Sequence, residues 1–247
     1  MNFYVMTLFP ELIENVAKES ILGRAVNAGY ISVKAVNFRA YSKDRHRHVD
    51  DYTYGGGAGM LIKPEPVYDC YADIAGKIGH PCRVVYLTPA GRVFTQEMAQ
   101  ELAKEEDLIL LCGHYEGIDE RVIDEIVTDQ ISIGDYVLTG GELPALVLLD
   151  AVSRLVPGVL SAGSAETESF SDGLLEYPQY TRPEVWHDTR VPEILISGDH
   201  KKVDRWRREE SLRKTLKNRP DLLRTAILTK EDKAFLKTLR ENDGIGP

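Results

Sequence analysis

Apolar and polar positions alternate along the first half of the chain in a way that predicts strands divided by helices. Asn2 to Phe9 is rich in β-branched and aromatic residues and stops at Pro10, and Tyr30 to Phe38 alternates, so both predict strands. Arg83 to Thr88 predicts a third, ending at Pro89-Ala90-Gly91, and the short apolar segment Leu108-Ile109-Leu110-Leu111-Cys112 a fourth. Glu11 to Ala28 reads as helix broken near Gly23, Pro64 to Ile78 as helix, and Thr95 to Lys104 as a helix capped by Thr95. Strands separated by helical spacers predict an α/β domain with a mainly parallel sheet.

Ala40 to Met60 is polar and glycine-rich, too long for a mere connection and therefore a candidate functional loop. A further helix is expected from Pro144 to Val156, apolar on most sides and hence buried, with Pro157-Gly158 ending it. Ser161 to Asp172 is small, polar and acidic, which marks a flexible linker. Beyond a proline-punctuated segment and the apolar run Ile194-Leu195-Ile196, the chain reads mainly as helix from His200 to Arg240. The expected organisation is a larger domain over 1–160, a linker over 161–172 and a small helical domain over 173–247.

Composition sharpens this picture. Apolar content of 43% with 28% charged residues is that of a soluble globular protein, without a membrane span or signal peptide, and a cytosolic setting is expected. Cys70, Cys82 and Cys112 are odd in number and widely spaced, which fits neither a disulfide framework nor a zinc site, so reduced and mostly buried thiols are expected. The net charge of −9 argues against general coating of nucleic acid, yet His200 to Arg224 is strongly basic and Arg39, Lys43, Arg45 and Arg47 form a second basic cluster. An acidic body with two basic patches suits selective binding of a shaped polyanion.

The glycine run Tyr54-Gly55-Gly56-Gly57-Ala58-Gly59-Met60 matches neither the phosphate-loop nor the dinucleotide pattern, and reads as a loop whose bare backbone can approach a base or phosphate. His46 and His48 alternate with arginine, which favours a phosphate-facing or solvated stretch over a metal site. Asp119 and Glu120 have a sufficient role at a helix start, whereas Glu116 lies within a turn between Gly113 and Gly117 and faces whatever that turn holds. Arg154 can pair with Asp150 four residues earlier, but a guanidinium on an apolar helix suggests an anion holder as well. In the linker, Glu166, Glu168 and Asp172 are either solubilising charge or a source of a general base.

Two long motifs carry a resemblance. Gly113-x-Tyr115-Glu116-Gly117-Ile118-Asp119-Glu120-Arg121, followed by Ser132-Ile133-Gly134-Asp135-Tyr136-Val137-Leu138-x-Gly140-Gly141-Glu142-Leu143-Pro144, resembles the bacterial tRNA (guanine-N1)-methyltransferase family of the SPOUT superfamily. Asp44-Arg45-His46-Arg47, the glycine run from Tyr54 to Met60 and Tyr180-Thr181-Arg182-Pro183 resemble the same family, so the likeness covers nearly the whole chain. It implies an α/β fold of SPOUT type, with a trefoil-knotted, mainly parallel sheet domain followed by a small helical C-terminal domain. Pattern alone would not suggest a knot, since knots are almost absent from proteins. It also implies a homodimer with active sites between subunits.

Under the resemblance the ligand is S-adenosylmethionine, held mainly by main-chain groups. Its binders would be Tyr86, Leu87, Thr88 and Pro89, then Gly113, Tyr115, Glu116 and Gly117, then Ser132, Ile133, Gly134, Tyr136, Leu138, Gly140, Gly141 and Pro144. The implied reaction is methylation of N1 of guanosine at tRNA position 37, which calls for a base and an anion holder. Arg154 would hold the anion, and Glu168, just before Ser169-Phe170 where the family carries aspartate, would be the base, with Glu166 as the fallback. Asp50 and Gly59 resemble positions that read the preceding guanosine, and the basic second domain would hold the anticodon stem-loop. No metal ligands are legible, although the resemblance implies a magnesium requirement. Two rivals remain: a SPOUT methyltransferase acting on another RNA site, and a catalytically silent RNA-binding protein of the same fold.

Overall fold

The computed structural model describes residues 1–161 and 168–242. Glu166 lies outside the described residues. The chain divides into two compact units, Met1–Ala162 and Gly163–Pro247.

In the first unit, five parallel strands form one sheet. They are β1 (Asn2–Thr7), β2 (Ser32–Asn37), β5 (Arg83–Val93), β6 (Asp107–Cys112) and β7 (Asp129–Ser132), in the order β2-β1-β6-β5-β7. A two-stranded ribbon, β3 (Asp50–Asp51) with β4 (Leu61–Ile62), stands apart from it. Every residue of β6 is buried because helices cover both faces of the sheet. Leu108, Leu110 and Cys112 pack on one face with Ile13 of α1 (Pro10–Ala17), Leu22 of α2 (Ser20–Asn27), Leu102 of α4 (Gln96–Leu102) and Leu148 of α6 (Glu142–Ser153). Ile109 and Leu111 point the other way, to Val67 and Ile74 of α3 (Pro64–Ile78) and Val122 of α5 (Glu120–Ile126). The period of two along β6 thus divides the core into two layers, and truncating one such leucine to alanine costs about 2–5 kcal/mol.

Several elements differ from the sequence reading, each for a local reason. The helical stretch after Pro10 breaks at Lys18–Glu19 and not at Gly23, which lies inside α2; a β-carbon at Gly23 would stand 2.1 Å from the Lys18 carbonyl oxygen, so the glycine admits the bend upstream of it. β5 does not end at Pro89. It continues to Val93 past a bulge, Ile131 being paired first with Leu87 and then with Arg92. Proline is tolerated there because the bulged residues donate nothing to the ladder. α6 starts at Glu142, and Leu143 and Val147 on it are 53% and 47% exposed, so one apolar stripe of this helix is open in the single chain. The long loop between Ala40 and Met60 contains a short 3-10 turn at its start and the strand β3.

The second unit packs Leu174 against Leu212 and Leu216 of α7 (His200–Asn218) and against Leu236 and Leu239 of α8 (Lys230–Asn242). A small hairpin, β8 (Val185–Trp186) with β9 (Thr189–Arg190), precedes the helices, and a 3-10 turn over Pro220–Arg224 interrupts what the sequence suggested as mainly continuous helix. Asp172, read above as linker charge, is part of this folded unit: it pairs with Arg208 and accepts from the Leu174 amide. Cys70 and Cys112 are buried and free, and Cys82 is half-buried. Among the described residues, no helix is long and apolar enough to cross a membrane.

Candidate active site

The bulged part of β5, the turns leaving β6 and β7 and the glycine turn before α6 meet at the carboxyl-end side of the sheet, where open parallel sheets bind ligands. They bound a cleft of ≈ 260 Å³. All sixteen residues that the resemblance assigned to the cofactor line it, joined by His114, Ile131, Val137 and Thr139. His114 and Thr139 occupy the variable positions of the two glycine motifs, and contiguity with their neighbours was the signal available for them in the sequence.

The first turn closes with the Gly117 amide donating to the His114 carbonyl at 3.1 Å, and it holds Tyr115 and Gly117 at positive φ, 59° and 127°. In the second, the Gly134 amide donates to the Ser132 hydroxyl at 3.2 Å, and the Tyr136 ring lies where a side chain on Gly134 would have been. The third passes main chain against main chain: the Gly141 amide donates to the Gly113 carbonyl at 2.8 Å, and a β-carbon at Gly141 would stand 2.7 Å from Cys112 Cα. Glycine is required there because any side chain would push the two strands of backbone apart. Just behind, the buried Glu142 carboxylate accepts from the Thr7 hydroxyl at 2.7 Å, which fastens the start of α6 to the end of β1.

The Asp50–Met60 loop joins the cleft's edge. The Glu116 amide donates to the Met60 carbonyl at 3.0 Å, the Ile62 amide to the Gly117 carbonyl at 2.9 Å, and Gly59 abuts the Glu116 side chain. Asp50, half-buried, pairs with Ile62 at the base of this loop. Gly59 is thus brought to the cleft margin, while Asp50 stands further down the ribbon.

Arg154 and Glu168 are not among the cleft's lining residues. Arg154 caps the far end of α6, half-buried, with its amide donating to the Asp150 carbonyl at 3.1 Å. The 12 residues of α6 separate it from the glycine turn at the helix start by roughly 18 Å. Glu168 belongs to the second unit, where its carbonyl accepts from the Ser171 amide at 3.2 Å.

Electrostatics separate inert groups from available ones. Burial, with the nearby Glu142 charge, pushes the Cys112 thiol well above its ordinary value and leaves no thiolate for chemistry. Burial likewise raises the Tyr86 phenol, so its hydroxyl stays a neutral donor beside Gly113. Glu116 is the one carboxylate among the cleft's lining residues. The arrangement offers apolar walls, three tyrosine rings, bare glycine backbone and a single acid, which suits an organic ligand with a planar ring and a cationic part.

The family model described as tRNA (Guanine-1)-methyltransferase TrmD matches residues 1–225. Proteins called tRNA (guanine-N(1)-)-methyltransferase are similar along their length: that of Lachnoclostridium phytofermentans is 53% identical, covering 97% of each chain. That of Lachnospira eligens is 60% identical over 90% of this chain and 94% of its own, and that of Clostridioides difficile 58% identical over 90% and 97%. With a family model spanning 225 of its 247 residues and relatives that share more than half of its sequence nearly end to end, the chain belongs to the tRNA (guanine-N1)-methyltransferase family.

Proposed function

We propose that this chain, a tRNA guanine-N1 methyltransferase by family, methylates N1 of the guanosine at position 37 of tRNA with S-adenosylmethionine bound in the cleft. The observation that carries the reading is the convergence of the β5 bulge and three glycine-bearing turns, between Tyr86 and Pro144, on one cleft. The residues fit the cofactor: glycines 113, 140 and 141 line the cleft, where their main-chain groups can meet an adenine, and Glu116 offers its charge to a sulfonium or ammonium. When bound, the cofactor supplies an electrophilic methyl group.

The remaining chemistry falls to the protein. Neutral guanine carries a proton on N1, so Glu168 takes that proton as the new bond forms, and Arg154 stabilises the charge that grows on the ring oxygen. Asp50, an acceptor, reads the N1 and N2 hydrogens of the preceding guanosine beside Gly59, and the target base leaves its stack to reach the cleft. The helical second unit grips the anticodon stem-loop through phosphates with α7 lysines and arginines. The cleft does not fit a dedicated magnesium site: Glu116 is the one carboxylate among its lining residues, and the cationic part of the cofactor would engage it.

The proposal includes a homodimer and a trefoil knot. On α1 and α6, which pack side by side, Leu12, Val16, Leu143 and Val147 are all exposed, an apolar face suited to a second copy. An arginine about 15 Å along α6 from Pro144, the nearest lining residue on that helix, can serve the chemistry in a neighbouring subunit's cleft. The knot would tighten where Gly91 meets the Gln130–Ile131 backbone and Gly141 meets Cys112. A cytosolic setting, where tRNA is processed, completes the reading.

The test uses labelled S-adenosylmethionine and an unmodified tRNA transcript. Transfer to the position 37 guanosine is expected, and adenosine at that position makes the transcript inert. Cofactor binding without transfer would favour a silent RNA-binding protein, and a label mapped to another nucleotide would favour a different target.

A further inference from the structure

The segment that carries Glu168 is a compact, cross-braced turn. Phe170 donates its amide to the Leu174 carbonyl at 2.7 Å, the Glu176 amide donates to the Ser169 hydroxyl at 3.0 Å, and the Leu175 amide donates to Thr215 Oγ1 of α7 at 2.9 Å. Phe170 and Gly173 sit at φ 74° and 80°, a reversal that tucks the chain under itself, with Gly173 against Ala226. Such a turn stays in one geometry only when something outside it over-determines it.

Arg208 supplies that restraint. Its Nε and one terminal nitrogen donate to the two oxygens of Asp232 at 3.2 and 2.9 Å, and the same terminal nitrogen reaches the Ile227 carbonyl at 3.2 Å. The other terminal nitrogen pairs with Asp172. Asp232 is buried, so the guanidinium is anchored at the root of α8 and holds Asp172 from a rigid base. Glu168, Asp172 and Arg208 line one cavity of ≈ 240 Å³, together with Glu176, Asp204 and Arg207.

We infer that Arg208 is a positioning residue for methyl transfer: by bridging Asp172 to Asp232 it sets the turn from which Glu168 acts. The inference rests on Glu168 being the base. A lysine could not replace this arginine, because one ammonium cannot meet both carboxylates and a carbonyl along the same fork.

Asp172→Asn is the decisive variant. Asparagine keeps an oxygen for the Leu174 amide but turns an amide nitrogen toward the guanidinium, donor against donor, and leaves the Arg208–Asp232 anchor intact. At neutral pH its kcat should fall about tenfold with KM for S-adenosylmethionine unchanged. The deficit should shrink as pH rises, since guanine N1 then releases its proton unaided, a signature that mere loosening of the fold does not give. Parental kcat, or a deficit constant with pH, overturns the inference. Glu168→Gln measured alongside separates the two readings: an inactive Glu168→Gln with a fully active Asp172→Asn removes the positioning role and keeps the base, whereas an active Glu168→Gln removes both.

Discussion

A β-carbon on Gly59 would stand 2.3 Å from Glu116 Oε1 and 2.5 Å from its Cγ. Residues 57 positions apart therefore touch at the cleft margin, and the loop proposed to read RNA shares a surface with the turn proposed to hold the cofactor.

Gly59→Ala should therefore displace the Glu116 side chain and lower kcat/KM about tenfold or more, equivalent to about 1.4 kcal/mol. Gly55→Ala, at similar positive φ but facing open space, should only strain its backbone by about 1–2 kcal/mol and leave turnover intact. Steady-state kinetics on both variants checks the contrast; equal effects would mean that conformation, and not the contact, matters.

Glu168→Gln should abolish turnover at neutral pH while cofactor affinity, measured by calorimetry, stays near the parental value. A carboxamide cannot accept the N1 proton, and general bases contribute about 10²–10⁴-fold. Near-parental turnover would move the base elsewhere in the linker.

Thr7→Val should destabilise the fold by about 1–3 kcal/mol, because it strands the buried Glu142 carboxylate without its donor. Glu142→Gln, which keeps an acceptor for Thr7, should cost less. Thermal melts of the two variants in parallel decide the order.

Arg83 forks onto Asp129, donating from Nε at 3.0 Å, and this hydrogen bonding outweighs desolvation to hold the Asp129 carboxyl below its ordinary value. A lowered folded value means that the pair's stabilisation is complete above the unfolded carboxylate value of about 4 and is lost as pH falls through the lower folded one. Asp129→Asn should accordingly lower Tm at pH 7 but flatten its decline as pH falls below about 4. Parallel acid limbs in the two proteins would argue that other carboxylates dominate.

Val147→Asp should split the proposed dimer, read as a halved mass by light scattering, because the charge would stand in the middle of an apolar stripe. Turnover should fall with it if Arg154 serves the neighbouring cleft. A dimeric, active Val147→Asp would put the interface on another face.

Much of this architecture was legible because burial leaves a periodic mark. The apolar run at Leu108–Cys112 announced the central strand, and the proline start of α3 marked a helix whose extent the structure reproduces at Pro64–Ile78. What stayed hidden depended on partners distant in sequence. Nothing near Pro89 reveals that β5 resumes its ladder beyond a bulge, since Ile131 supplies both pairings. The exposure of Leu143 and Val147 was hidden for a related reason: hydrophobicity says that a face wants cover, not that the cover lies within the same chain. Asp172 looked like solubilising charge because its partner Arg208 is 36 residues away. In the cleft, the glycines were readable as backbone approaches, yet only the fold reveals that Gly141 passes against Cys112 and Gly113.

The position of β1 in the sheet has a consequence for the order of synthesis. Asn2 pairs with Ser32 on one side and with Asp107 on the other. A nascent chain that has emerged only as far as α3 can form the β1–β2 edge but not the middle of the sheet, because the neighbouring strand has yet to be made. The amino terminus must wait for roughly a hundred residues before its second ladder can close, a long loop for a parallel pairing. Arrested chains ending before Asp107 should therefore be protease-sensitive outside the ribosome, and those that expose β6 and α6 should be the first to resist.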